Sequence, residues 1–215
     1  VSDVDSWNEG PKTYHRVPKA VFFGEIYANQ YVIDSTNEFA ARISQIEDEF
    51  VVLLDIGRQR LEDTEAWGIQ PLNVYQGMAM HALLDPTLDL NLLIGAAGSG
   101  KTILSLACAL ELVVEQKRYS KIVVTRSTPP VAEDIGFLPG TEEEKMMPWL
   151  AAIHDNLEAL HEYDDNPEAS IRFALEKGNI QFKSLNFIRG RSIQDAIILL
   201  DESQNLTPQQ LKTII

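Results

Sequence analysis

Residues 95–102 read Gly-Ala-Ala-Gly-Ser-Gly-Lys-Thr and follow directly on the apolar run Leu90-Asn91-Leu92-Leu93-Ile94. Apolar strand, glycine loop and helix, in that order, form the context in which a G-x-x-x-x-G-K-[ST] pattern cradles phosphate, and few folds satisfy it. A helix is expected from about Gly100 to residue 116, carrying Ile103, Leu104, Leu106, Ala107, Leu110 and Leu112. At its start, backbone N–H groups of Gly95, Ala96, Ala97, Gly98, Ser99 and Gly100 would face a dense anion, and the helix dipole adds roughly half a positive charge. Lys101 would reach the β and γ phosphates, and the Thr102 hydroxyl would take one position on Mg²⁺. The plain alternative, a glycine turn that only links strand to helix, is disfavoured by the complete pattern and its flanks.

A phosphate loop alone does not choose among kinase, GTPase, motor and ATPase. The run Ala196-Ile197-Ile198-Leu199-Leu200-Asp201-Glu202 narrows the choice. Consecutive apolar residues ending in a carboxylate describe a strand buried on both faces, with the acid at the C-terminal edge where ligands sit in open parallel sheets. Asp201 would hold Mg²⁺, directly or through water. Glu202 would orient and deprotonate an attacking water, which favours hydrolysis over transfer to a hydroxyl acceptor. Gln204 completes Asp-Glu-Ser-Gln, which resembles the Asp-Glu-x-Gln motif of superfamily 1 helicases. A strand end followed by a polar turn is the bland reading of the same residues.

Gln76, in Asn73-Val74-Tyr75-Gln76, has a carboxamide that can pair with the N6 donor and N7 acceptor of adenine. That reading makes the nucleotide ATP; a helix-face glutamine bound only to water is the alternative. The chain has no plausible Asn-Lys-x-Asp guanine motif, which leaves GTP less supported.

Net charge is −14, unfavourable to a broad electropositive surface, so a nucleic-acid contact needs a local basic patch. No apolar run approaches the roughly 18 residues of a spanning helix, and no secretory leader pattern opens the chain, so a cytoplasmic protein without membrane contact is expected. The single cysteine, Cys108, excludes an internal disulfide framework and reads as a small core residue on the loop's helix. Histidines 15, 81, 154 and 161 have no zinc spacing.

The 215 residues divide by pattern at about residue 71. Residues 1–71 read as a small α+β connector, polar and loop-like through Lys19, with strands at 20–23, 30–33 and 50–54. Ser35 and Glu38 form a capping box ahead of Phe39, Ile43 and Ile46, which predicts a helix between the last two strands. Residues 72–215 alternate: helix 75–84, strand 90–94, helix 100–116, strand 121–125, helix 169–177 stopped by Gly178, strand 180–185, and a final helix capped by Thr207, Pro208 and Gln210. Thr141 to Glu144 is a second capping box, before a helix begun or kinked at Pro148 and carrying Leu150, Ile153, Leu157 and Leu160. Such alternation predicts an α/β fold with a parallel sheet flanked by helices.

Several segments together resemble the PhoH-like ATPases over residues 67–215: Asn73-Val74-Tyr75-Gln76, the phosphate loop, Val124-Thr125-Arg126, Gly136-Phe137-Leu138-Pro139-Gly140, Glu143-Glu144-Lys145-Met146-Met147-Pro148-Trp149, Arg189-Gly190-Arg191-Ser192 and Asp201-Glu202-Ser203-Gln204-Asn205. The resemblance implies a RecA-like or superfamily 1 helicase-like P-loop NTPase core using ATP and Mg²⁺. In long family members it implies an upstream PIN ribonuclease domain in the same chain and coupling to RNA; residues 1–71 resemble the connector between the two. Arg126, Arg189 and Arg191 would contact RNA, the γ-phosphate or a neighbouring subunit, or form surface ion pairs. Homo-oligomers are common among such cores. Both ends of the chain look cut, and the family's next strand, normally placed between the loop strand and the Asp201 strand, lies beyond residue 215. A gapped sheet with impaired turnover is therefore expected of these residues alone. Two rivals remain: a nucleotide-gated interaction module controlling assembly or an attached nuclease, and a small-molecule kinase built on the same loop.

Overall fold

Gly10, at φ 58°, and Pro11 turn the chain between β1 (Asp5–Glu9) and β2 (Lys12–Pro18), an antiparallel hairpin with Trp7 stacked on Tyr14 at 5.6 Å. The computed structural model to which these elements belong describes residues 4–34, 38–127, 155–156, 158–159, 165–183, 185–188 and 192–214. It divides into two compact units, Val1–Glu65 with Gln70–His81, and Ala66–Ile69 with Ala82–Ile215.

In the first unit, β3 (Tyr31–Ile33), β4 (Ala40–Ile46) and β5 (Phe50–Asp55) join the hairpin in a sheet of order β1-β2-β5-β4-β3, antiparallel throughout. The loop-like reading of the first nineteen residues is thus corrected. β2 carries Tyr14 and Val17 three positions apart among Lys, Thr, His and Arg, and the edge strand β1 carries only Trp7, so neither shows the apolar alternation that announces a strand. His15 ties three strands: its Nδ1 lies 2.7 Å from Ser6 Oγ and its Nε2 3.1 Å from Asp55 Oδ2. Residues Lys19–Val21 form a 3₁₀ turn where a strand was expected.

The helix expected after residue 38 is strand β4. Its apolar residues Ile43 and Ile46 sit three apart, a helical spacing, yet the ladder shifts register between Ile43 and Gln45. This bulge leaves Ser44 unpaired and puts Ile43, opposite Leu53, and Ile46, opposite Val51, on one face with Phe39 and Ala41. Residues 35–37 of the expected capping box lie outside the described residues. On the opposite face Ala40 and Leu54 pack with Ile56, with Leu61 of α1 (Arg58–Glu62) and with Val74 of α2 (Val74–Leu84). Gly77 makes that helix contact possible, because a Cβ there would lie 2.3 Å from the Leu61 carbonyl oxygen.

In the second unit, α3 (Lys101–Leu110) continues into a π-helical turn (Glu111–Glu115) and is followed by β6 (Lys121–Arg126). Then come α4 (Pro167–Lys177), β7 (Ile180–Phe182), α5 (Leu185–Ile188), β8 (Ala196–Asp201) and α6 (Pro208–Lys212). The three strands form a parallel sheet of order β7-β6-β8. Ile122 and Val124 of β6, Ile180 and Phe182 of β7 and Ile197 and Leu199 of β8 share one face, against Leu106, Ala109 and Leu110 of α3 and Ile171 and Ala174 of α4. Thr207 and Gln210 close the capping box that starts α6.

Two expectations change here, and a third, the stop at Gly178, holds. The run 90–94 has no ladder partner among the described residues, and Leu90, Leu92 and Ile94 are 63%, 66% and 88% exposed, so it is an extended segment rather than a strand. β8 is half-buried at every position instead of buried on both faces, because β6 is its only ladder partner among the described residues. Gly178 ends α4 without adopting the left-handed conformation, which falls on Asn179 at φ 44°. Glycine is needed at 178 for space: a Cβ would stand 2.7 Å from Ala174 O and 2.8 Å from Leu110 Cδ2. The second capping box, Pro148 and the stripe Leu150, Ile153, Leu157 and Leu160 lie outside the described residues.

Cys108 is 1% exposed on α3, and burial, with Glu111 nearby, pushes its thiol up to about 12. Below that pH it stays a neutral core group. A thiol reagent at pH 8 is expected to label the native protein at least about a hundredfold more slowly than the urea-unfolded chain, since only the thiolate attacks. Gly77→Ala is expected to destabilise the first unit by about 2 kcal/mol or more through overpacking against Leu61, read from urea unfolding followed by far-UV circular dichroism.

Candidate active site

The loop is built from three glycines with different tasks. Gly98 and Gly100 stand at φ 75° and 86°, backbone that an L side chain enters at a cost, and Gly100 is the N-cap of α3. At Gly95 space decides: a Cβ would lie 3.0 Å from Ser99 Oγ. Across the loop, Lys101 Nζ donates to Gly95 O at 2.9 Å and Ala96 O at 2.8 Å, with Ser99 Oγ at 3.4 Å, while Ser99 N donates to Ala96 O at 3.3 Å. The lysine therefore ties the two ends of its own loop. Its ammonium is parked over the curl of backbone from 95 to 100, where an anion bound by that curl would meet it.

Asp201 ends β8, and the β6–β8 ladder pairs it with Arg126, the last residue of β6. Alternation puts residue 201 on the same face as Ile197 and Leu199, the face that α3 covers, and α3 lies against β8. The helix that begins at Lys101 and Thr102 and the strand that ends at Asp201 are thus neighbours in one unit. Glu202 follows in a left-handed conformation, φ 54° and ψ 36°, uncommon for a residue with a long side chain. Its carboxylate accepts a hydrogen bond from Gln204 Nε2. Residues Ser203–Asn205 form a 3₁₀ turn that carries the chain away from the strand end. Asp201, Glu202 and Gln204 stand at the C-terminal edge of the parallel strands, the position where open α/β sheets bind ligands.

Gln76 belongs to the first unit, and its carboxamide has local work. Its Oε1 accepts the backbone N–H of Leu72 at 2.7 Å, and its own N–H donates to Asn73 Oδ1 at 3.0 Å, so both residues cap α2. Pairing with an adenine would draw on the second lone pair of Oε1 and on the Nε2 hydrogens. Arg126 is placed by its backbone at the end of β6; its side chain, with Arg189, Arg191, the Gly-Phe-Leu-Pro-Gly segment and residues 143–149, lies outside the described residues.

Mg²⁺ prefers hard oxygen donors in octahedral array and keeps several waters. The Thr102 hydroxyl and the Asp201 carboxylate are such donors on adjoining elements, and the donor chemistry fits. Among the described residues no group of three or more His, Cys, Asp or Glu side chains gathers, so phosphate oxygens and water would complete the shell. No described helix is long and apolar enough to cross a membrane.

Comparison with known proteins adds the family. Residues 68–215 match the family model described as PhoH-like protein. The chain is 46% identical over 154 residues to Protein PhoH2 of Bacillus subtilis (strain 168), covering 72% of this chain and 35% of that protein. It is 37% identical over 154 residues to Protein PhoH2 of Thermobispora bispora, with 71% and 34% covered. A PhoH-like protein of Synechocystis sp. is 35% identical over 127 residues, with 59% and 37% covered. The chain spans about a third of the length of the curated relatives it matches.

Gly98→Ala forces an L side chain to φ 75°. At about 1–2 kcal/mol per such residue, its affinity for a nucleoside triphosphate is expected to fall about tenfold, measured by equilibrium titration with a fluorescent analogue.

Proposed function

This chain belongs to the PhoH-like family of P-loop ATPases, and from that premise we propose that it binds ATP at residues 95–102 and hydrolyses it with Glu202 as the base. The observation that carries the reading is the meeting of two elements in one unit. A lysine-tied phosphate loop opens α3, and α3 lies against the strand that ends in Asp201 and Glu202.

Each residue then has a task. Backbone N–H groups between Gly95 and Gly100, at the positive end of α3, hold the phosphates. Lys101 exchanges its bonds to the Gly95 and Ala96 carbonyls for β and γ phosphate oxygens and neutralises charge there. Thr102 and Asp201 would hold Mg²⁺, which supplies neutralisation of the charge developing on the phosphate oxygens. Glu202 accepts the proton of the attacking water, and the Gln204 amide, already on the Glu202 carboxylate, keeps that group aimed. Water oxygen bonds to the γ phosphorus, the bond to the β–γ bridging oxygen breaks, and ADP and phosphate leave. Gln76 as an adenine contact remains part of the proposal, through the second lone pair of Oε1 and the Nε2 hydrogens.

In the longer protein we assign this cycle to RNA unwinding or processing in the cytoplasm, with Arg126, Arg189 and Arg191 as candidate contacts and a PIN nuclease domain as a candidate neighbour in the same chain. The support is family resemblance, and the charge of −14 confines any such contact to a local patch. Ring-like homo-oligomers belong to the same expectation.

The test is phosphate release and nucleotide binding measured side by side, with and without RNA, in the full-length protein. Lys101→Ala is expected to abolish nucleotide binding. Glu202→Gln is expected to bind ATP within about twofold of wild type and to lose about 10²–10⁴-fold in kcat. A phosphorylated small-molecule acceptor in place of free phosphate would establish the kinase instead. Nucleotide-dependent assembly without turnover in the wild type would establish the gated module.

A further inference from the structure

The turn that presents Glu202 is held from behind. Its backbone is left-handed at Glu202, φ 54°, a conformation a glutamate adopts only when its surroundings fix it. Two groups do the fixing, and both belong to Asn205, a residue quoted in the sequence pattern but given no role there. Asn205 donates its backbone N–H to Glu202 O at 3.0 Å, which closes the turn. Its side-chain Nδ2 reaches across to Ser127 O at 3.5 Å, on the residue that follows Arg126. Ser127 is 2% exposed, and its own N–H donates to Asp201 O at 3.0 Å. Ser127 therefore takes a bond from the turn after Glu202 and gives one to the residue before it, and Asn205 is the side chain that closes the circuit.

We propose that Asn205 is a positioning residue for Glu202, locking the left-handed turn onto the end of β6 so that the carboxylate is presented to the attacking water in one orientation. The inference rests on the reading of Glu202 as the base. Gln204 and Asn205 then divide the work: Gln204 holds the carboxylate itself, and Asn205 holds the backbone from which it projects. The second bond also makes the end of β6 part of the catalytic geometry.

The experiment compares Asn205→Ala and the isosteric Asn205→Asp, which keeps the shape but loses the donor, with Glu202→Gln in the full-length protein. Steady-state phosphate release, ATP binding and thermal midpoints are recorded together. Both Asn205 variants are expected to lose about tenfold or more in kcat, the scale of a base displaced by a fraction of an ångström, with ATP affinity within about twofold of wild type. A structural role alone would instead lower the midpoint and leave the kcat of the folded fraction unchanged, and that result overturns the proposal. So does wild-type kcat in Asn205→Asp while Glu202→Gln is inactive; the reading of Glu202 would survive it. Full turnover by Glu202→Gln overturns that reading and this inference with it. Amide hydrogen exchange on the wild type serves if a variant fails to fold: protection at Asn205 and Ser127 is expected, and exchange at unfolded-chain rates at both means that the latch does not form.

Discussion

The ladder between β6 and β8 is the constraint on which the site depends. It runs in register from Lys121 opposite Ala196 to Arg126 opposite Asp201, so the charged residues that end the two strands stand side by side. Parallel pairing puts both chain ends on one edge, and period-two alternation decides which face each residue meets. One residue of slippage would turn Asp201 away from α3. Specificity of register comes from the buried face: Ile122, Val124, Ile197 and Leu199 leave water only when this pairing is kept. The hydrophobic effect, which has no direction of its own, is here converted into the placement of a carboxylate.

Legibility in the sequence followed the reach of the interactions. α3, β6, α4 and α6 could be read because periodicity, caps and glycines are local signals, and the Thr207–Gln210 capping box formed where the spacing put it. The phosphate-loop pattern is likewise local, and its glycines Gly98 and Gly100 stand at φ 75° and 86°. What escaped notice needed a partner distant in sequence. β4 looks helical until its bulge opposite β5 is known, and β1 and β2 look like loop until they pair. Residues 90–94 carry a strand's composition, but composition does not supply the neighbour that makes a ladder. Gln76 reads as a free carboxamide until the Leu72 N–H takes it. Asn205 stood in a quoted segment with no role attached, since its two bonds join positions 78 residues apart in one case and three in the other.

The two units illustrate different solutions to covering a sheet. In the first, antiparallel strands bury Val17, Ile43 and Val51 on one face, and pack α1 and α2 against Leu54 on the other. Its connections are short, and its polar ties, such as Ser6, His15 and Asp55, run across strands. In the second, parallel strands need long crossovers, and helices supply the cover as they cross. Trp67 shows how the two patterns interleave along the chain: with φ 49° and Gly68 at 74°, it turns out of the first unit's sequence and packs against the core of the second.

The left-handed backbone at Glu202 has a consequence for how this position can vary through descent. Selection for folding alone would favour glycine there, since glycine enters that region freely, whereas a residue with a Cβ costs about 1–2 kcal/mol. Under the proposed role of Glu202 as base, selection for a carboxylate pulls the opposite way. A lineage that kept the fold and gave up the chemistry would be expected to drift towards Gly or Asn at 202. With Glu202 as the proposed base, the identity of this one residue across descendants records whether chemistry has been maintained, while the buried strands beside it record only that the chain still folds.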